Sequence, residues 1–165
     1  MSQHTVSIIL KFVVSIFALM GISLQYLYFP IYNNYYMEEY NIVSIGDFPF
    51  PVLAFVVSFV YIVYYIFLIL FWRVCTHIGR YNSFSPINSK LFRLMAVCGF
   101  SVSFVALAAS LILAISSYEK PGNNYFLTFF VGVFFIGLFI GGLCETLSRL
   151  IQHAYNVKKE NELTI

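Results

Sequence analysis

Apolar positions in this chain come in long runs, neither alternating with polar ones nor confined to one amphipathic stripe. Four runs, 12–29, 51–72, 94–115 and 125–147, are nearly free of charge. Each reaches the ~18 residues at which such a segment reads as a transmembrane helix. At 1.5 Å per residue they cover about 27–34 Å, which matches a hydrocarbon core of ~30 Å. The pattern predicts an all-α fold: an integral membrane four-helix bundle forming a single domain over 1–165. The first run lacks both a preceding cluster of positive charges and an A-x-A-like site after it. It therefore reads as a span and not as a cleaved leader.

Small residues interrupt the last two runs at helical spacing. In lipid the hydrophobic effect does not drive helices together, so residues that permit close backbone approach mark the contacts. The third run carries Ala96, Gly99, Ser103, Ala106, Ser110 and Ala114 three or four apart, and the fourth carries Gly137, Gly141, Cys144 and Ser148. These stripes predict a tight antiparallel pair. The second run is bulky nearly all round. Its Tyr64 and Tyr65 lie too deep for the headgroup layer, so at least one hydroxyl is expected to bond to a neighbouring helix.

Charge then orients the spans. Lys11, Arg73, Arg80, Lys90, Arg93, Arg149, Lys158 and Lys159 fall at the N-terminus, the central loop or the tail, and only Lys120 falls on the opposite side. The positive-inside rule accordingly places both termini in the cytoplasm. The formal net charge is only +2, so there is no strongly basic footprint of the kind that binds nucleic acid directly. The lipid bilayer is the first expected partner, with the basic residues facing anionic headgroups.

Composition removes most chemistry. Hydrophobic residues make up 61% of the chain and charged ones 10%, far below the ~25% charged of soluble domains. Catalysis needs convergent ionisable groups, and only Glu145 stands near a span. Arg149, four residues on, makes it an interfacial ion pair, with a proton or coupling-ion site as the sharper alternative. His4, His77 and His153 match no metal-ligand spacing. Cys75, Cys98 and Cys144 read as small packing residues. No catalytic residue, metal or cofactor is expected. The tyrosines at 32, 35, 36 and 40, between the first two runs, read as an interfacial belt or as a surface for an external peptide.

The central polar stretch "IGRYNSFSPINSKLFRL" (78–94) resolves into a turn and a helix start. Ser85 is an N-cap and Pro86 suits the first helical position, so the third helix begins at 86, with 86–93 in the cytoplasm. After the fourth run, 148–165 forms a cytoplasmic tail whose Leu147, Leu150, Ile151, Ala154 and Val157 make one apolar helical face. That face suits the membrane surface, the central loop or a partner. Polar residues not needed as anchors, Asn82, Asn88, Asn161 and Thr164, gather at this end, and with Ser85 and Arg93 they are a candidate partner face.

Two segments also carry a likeness. "NSFSPINSKLFRLMAVCGF" and the tail "KKENELTI" resemble the bacterial domain-of-unknown-function family 2975. Its members are short four-span proteins with an F-S-x-x-N-x-x-x-L-R-like segment and an E-N-x-L-T-[IV]-like end. Phe84, Ser85, Asn88, Leu91 or Leu94, and Arg93 stand in the first pattern. Glu160, Asn161, Leu163, Thr164 and Ile165 stand in the second. The resemblance implies a multi-pass protein of the bacterial cytoplasmic membrane, often encoded beside a small cytoplasmic helix-turn-helix regulator.

Three functions fit these residues. One is a non-catalytic regulatory or accessory membrane protein, with that regulator or another membrane protein as partner. A second is self-protection (immunity) against a membrane-active peptide, motivated by the tyrosine-rich loop. A third is a small transporter subunit, which lacks the midplane charge or broken helix such sites use.

Overall fold

The computed structural model describes residues 3–39, 49–80, 83–117 and 124–163. Within helices, it does not describe the side chains of 27–39, 49–54, 116–117, 124–126 and 162–163. Four α-helices account for the described chain: α1 (Gln3–Glu39), α2 (Pro49–Gly79), α3 (Pro86–Ser117) and α4 (Asn124–Leu163). All four are long and apolar enough to cross a membrane, over Gln3–Tyr26, Phe55–Gly79, Pro86–Ile115 and Leu127–Asn161. The protein is a multi-pass, all-helical membrane protein.

The helices extend beyond the apolar runs. α1 begins nine residues before 12, because its first turns pack on α2. There Ser7 is buried and donates from Oγ to the Cys75 carbonyl at 2.6 Å, and Lys11 Nζ lies 5.5 Å from the Trp72 ring centroid. α4 has 40 residues and spans ~60 Å, about twice the hydrocarbon thickness.

The burial pattern is inverted relative to a soluble domain. The outer faces carry large apolar side chains such as Phe12, Leu19, Phe55, Ile69, Phe104, Leu111, Phe135 and Phe139, with Phe104 74% exposed. In water such a surface would aggregate. Buried positions include Ser7, Ser89, Ser103, Ser110 and Ser148 together with Ala96, Ala106 and Ala109. Small side chains line the contacts because dispersion at close approach holds helices together once both sides are equally apolar.

Contacts run in chain order. α1 packs on α2, α2 on α3 and α3 on α4, while α1 and α4 do not touch among the described residues. The α1–α2 seam is built on Val14, Leu68 and Cys75 and is closed by Tyr64, whose hydroxyl donates to the Phe17 carbonyl at 2.6 Å. This is the hydroxyl contact to another helix expected of the tyrosine pair. Two clusters join α2, α3 and α4, one at each end. Val74, Leu91, Met95, Ala96 and Cys144 form the first, and Val56, Ala109, Leu113 and Phe130 form the second.

The α3–α4 seam is the most extensive. Ser89, Ala96, Ser103 and Ser110 are all buried and recur every seven residues, the spacing that keeps one edge of a helix on its partner. At the crossing, a Cβ built on Gly99 would lie 2.8 Å from the Gly141 nitrogen and 2.9 Å from its Cα. Gly137 likewise abuts the Gly99 carbonyl and Ser103. Only glycine permits that approach. It also brings the Ser103 hydroxyl within 3.1 Å of the Phe134 carbonyl, a cross-helix hydrogen bond.

Candidate functional site

The polar residues of the described chain collect at one end, where α2 stops, α3 starts and α4 runs on. α2 ends at Gly79, followed by a turn in which the Arg80 amide donates to the His77 carbonyl at 3.2 Å. Ser85 then caps α3. Its Oγ accepts from the Asn88 amide at 3.3 Å, and its carbonyl accepts from the Ser89 amide at 3.2 Å. Pro86 opens the helix where a missing N–H leaves nothing unpaired.

Asn88 is placed inside this corner. It is 1% exposed, and its Nδ2 donates to the Ser83 carbonyl at 2.9 Å, tying the loop to the first turn. Its amide therefore acts within the chain and not on an accessible face. The next residue, Ser89, clasps α3 to Ser148 of α4. Ser89 Oγ donates to the Ser148 carbonyl at 2.9 Å, and Ser148 Oγ donates to the Ser89 carbonyl at 2.8 Å. The two hydroxyls and two carbonyls bond across the seam.

The clasp sets how far α4 projects. In an antiparallel pair with Ser89 against Ser148, residue 86 comes opposite about 151. The rest of α4, to Leu163, therefore continues past the start of α3 for ~18 Å. The helix is unbroken from 124 to 163, and an unbroken helix curves only gently. Val157, 42% exposed, lies on that projection, and Leu147 and Leu150, the latter 59% exposed, stand just before it alongside the first turn of α3. With Ala154 they follow a 3-4-3 spacing, the seam pattern of a helix that pairs with another helix.

The charged residues surround this end. Arg73, Arg80, Lys90, Arg93 and Arg149 are exposed. Arg149 Nε donates to Glu145 Oε1 at 2.9 Å, with the arginine side chain 80% exposed. Such a pair contributes little. Ser85 is half-buried at its cap and Asn161 is exposed on α4; Asn82, Thr164 and Tyr40 lie outside the described residues, while positions 32, 35 and 36 fall within helix α1, where side chains are not described. Among the described residues, no group of three His, Cys, Asp or Glu side chains gathers to hold a metal ion.

Two features escaped the sequence reading. Ser89 belonged to the stripe Ala96, Ser103 and Ser110 by simple extension of its seven-residue period, and that period was the available signal. The second is an apolar cleft of about 500 Å³ lined by all four helices, among them Phe17, Val60, Phe67, Val102, Val133 and Ile136. It follows from the missing α1–α4 contact, which no local pattern encodes.

A family model described as protein of unknown function (DUF2975) matches residues 23–165. No curated protein and no solved structure matches the chain.

Proposed function

The chain belongs to the DUF2975 family, and within it we propose a non-catalytic regulatory or accessory role in the bacterial cytoplasmic membrane, with the projecting part of α4 as the surface that engages a partner. The single observation that carries this reading is the exposed seam Leu147, Leu150 and Val157, which begins beside the first turn of α3 and runs on to the part of α4 that continues past it. Apolar side chains at coiled-coil spacing on a solvated helix are what a second helix packs against. The described residues of the chain's own loop leave them exposed. An unbroken helix also does not turn to lie along the membrane surface.

The positive-inside rule puts this seam in the cytoplasm. There, a small helix-turn-helix regulator, or the cytoplasmic helix of another membrane protein, presents the matching element. Arg80, Lys90 and Arg93 are exposed on the loop and helix start beside α4 and Asn161 on α4 itself, and the basic residues favour an acidic rim on the partner. The protein would then act on transcription or on its neighbour by holding that partner at the membrane, without contacting nucleic acid itself.

A pull-down from membranes with the full chain and with a chain lacking 157–165 tests the reading. A partner that is captured by the full chain and lost on truncation is expected. Identical partner lists overturn it.

A further inference from the structure

The side of α4 turned away from α3 carries a regular repeat. Ser148 is buried against α3, and at ~100° per residue Leu150, Ala154, Val157 and Asn161 lie about 180–240° round the helix from it. Steps of three run from Leu147 to Leu150 and from Ala154 to Val157. Steps of four run from Leu143 to Leu147, Leu150 to Ala154 and Val157 to Asn161. In a heptad the short step leads from a to d, so Leu147, Ala154 and Asn161 are a positions and Leu143, Leu150 and Val157 are d positions. The opposite edge of the projecting helix is polar, with Gln152 Nε2 donating to Asn156 Oδ1 at 3.4 Å and Lys159 exposed.

The extent of this seam bears on the kind of helix that covers it. Leu143, Leu147, Leu150 and Val157 are 42–59% exposed. Pairing 143–161 with an equal length of helix buries roughly 1,000 Å² in total, near the lower limit of a specific interface. A soluble partner also loses its translational and rotational freedom on docking. A helix already anchored in the same bilayer has less to lose, so an interface of this size suits a membrane-bound partner.

Asn161 narrows the choice further. It is exposed and helical, and an asparagine at a single a position faces the matching layer of the opposite helix. An apolar residue there leaves its amide unpaired, whereas a second asparagine bonds to it, which is how such a residue sets register and strand number. A second copy of this chain meets that requirement. It inserts the same way round, so its α4 runs parallel, and exposed Arg73, Lys90, Arg93 and Arg149 anchor it at the same depth. Residue 161 then stands against 161. The α3 helices, with Lys90 and Arg93, fall on the outer sides of the pair. Three interaxial steps separate them by about 24–30 Å, beyond the ~8 Å over which exposed charges act at physiological salt.

We propose, on the reading of this face as a helix-pairing surface, that its occupant is α4 of a second copy. Two chains pair as a parallel, in-register coiled coil over 143–161, with Asn161 against Asn161 near the ends of both helices.

Self cross-linking of the full chain in native membranes tests the pairing. Single cysteines are oxidised with copper phenanthroline, and the wild type, whose Cys75 and Cys144 are buried and Cys98 half-buried, supplies the baseline. Leu150→Cys and Val157→Cys should give a band of twice the chain mass, and Gln152→Cys and Lys159→Cys should stay at baseline. Adding Asn161→Asp to Val157→Cys sets two carboxylates against each other and should lower the yield at least ~tenfold, as like-charge juxtaposition does. Adding Lys159→Asp should not. Equal yields at all four cysteines, or none above baseline, overturn the proposal. Two wild-type copies with different tags should also co-purify, and copies ending at 156 should not; co-purification indifferent to that truncation overturns it too. A different protein captured through 157–165, without self cross-links, overturns the self-pairing and leaves α4 as a partner surface. Self cross-links with identical pull-down lists uphold the pairing and remove the regulator as occupant.

Discussion

Placing a methyl group at Gly99 tests the packing of this protein at its tightest point. In Gly99→Ala the new Cβ would lie 2.8 Å from the Gly141 nitrogen, 2.9 Å from its Cα and 3.0 Å from the Gly137 carbonyl oxygen. All three are backbone atoms of α4, so no side chain can swing away. Ordinary contact needs ~3.5–4.0 Å, so α3 and α4 must part by about 0.5–1 Å, which forfeits a quarter to a half of each dispersion well along the seam. The cross-helix hydrogen bond from Ser103 to Phe134, now 3.1 Å, would stretch with it.

Overpacking of this kind costs about 1–3 kcal/mol. Against that, alanine is favoured over glycine in a helix by ~0.8–1.0 kcal/mol. Gly132 separates the two effects, because a Cβ there meets nothing within 4 Å. Gly132→Ala should therefore stabilise by up to ~1 kcal/mol, with Gly99→Ala falling about 1–3 kcal/mol below it. Unfolding titrations in mixed detergent micelles, followed by circular dichroism, measure both. Equal stabilisation by the two alanines would refute the close crossing.

Further outcomes follow from the same contacts. Ser89→Ala and Ser148→Ala should each destabilise by about 0.6–1.7 kcal/mol, and the double variant should cost less than the sum because both remove one clasp; the same titration reads this. Tyr64→Phe removes the bond to the Phe17 carbonyl and should cost about 0.5–1.5 kcal/mol, seen as a lower unfolding midpoint. Arg149→Ala should change stability by less than ~0.5 kcal/mol, because the guanidinium of its ion pair is largely solvated. Stability of this variant measured at low and high salt should differ no more than that of wild type.

Helix number and the start of α3 were legible in the sequence because each is a local consequence of composition. Runs of uncharged residues define spans, and Ser85 with Pro86 defines a cap. The α3–α4 seam was legible as well, since small residues at helical spacing have one main use in lipid. Asn88 was not: a polar residue in a polar stretch looks available, and only the fold shows it turned inward to the Ser83 carbonyl. Helix ends were also understated. Lys11 looked like a boundary, yet it shares a helix with Ser7, whose buried hydroxyl serves α2. The cleft needed the order in which the helices pack, a property of the assembled chain.

The candidate partner seam was half legible. Its apolar positions stood out in the sequence, but whether they face the central loop or solvent depends on how far α4 outruns α3. The Ser89–Ser148 clasp sets that register. It leaves Leu150 and Val157 exposed towards the basic end of the molecule.

Photo-crosslinking in native membranes tests this seam most directly, with benzoylphenylalanine placed singly at Leu150, Val157 and, as a control on the lipid face, Leu111. A discrete protein adduct at 150 and 157 that is absent at 111 and disappears when Leu147→Asp is added is the result expected of a helix-pairing seam. Adducts to lipid alone at 150 and 157, or a protein adduct indifferent to Leu147→Asp, would contradict it.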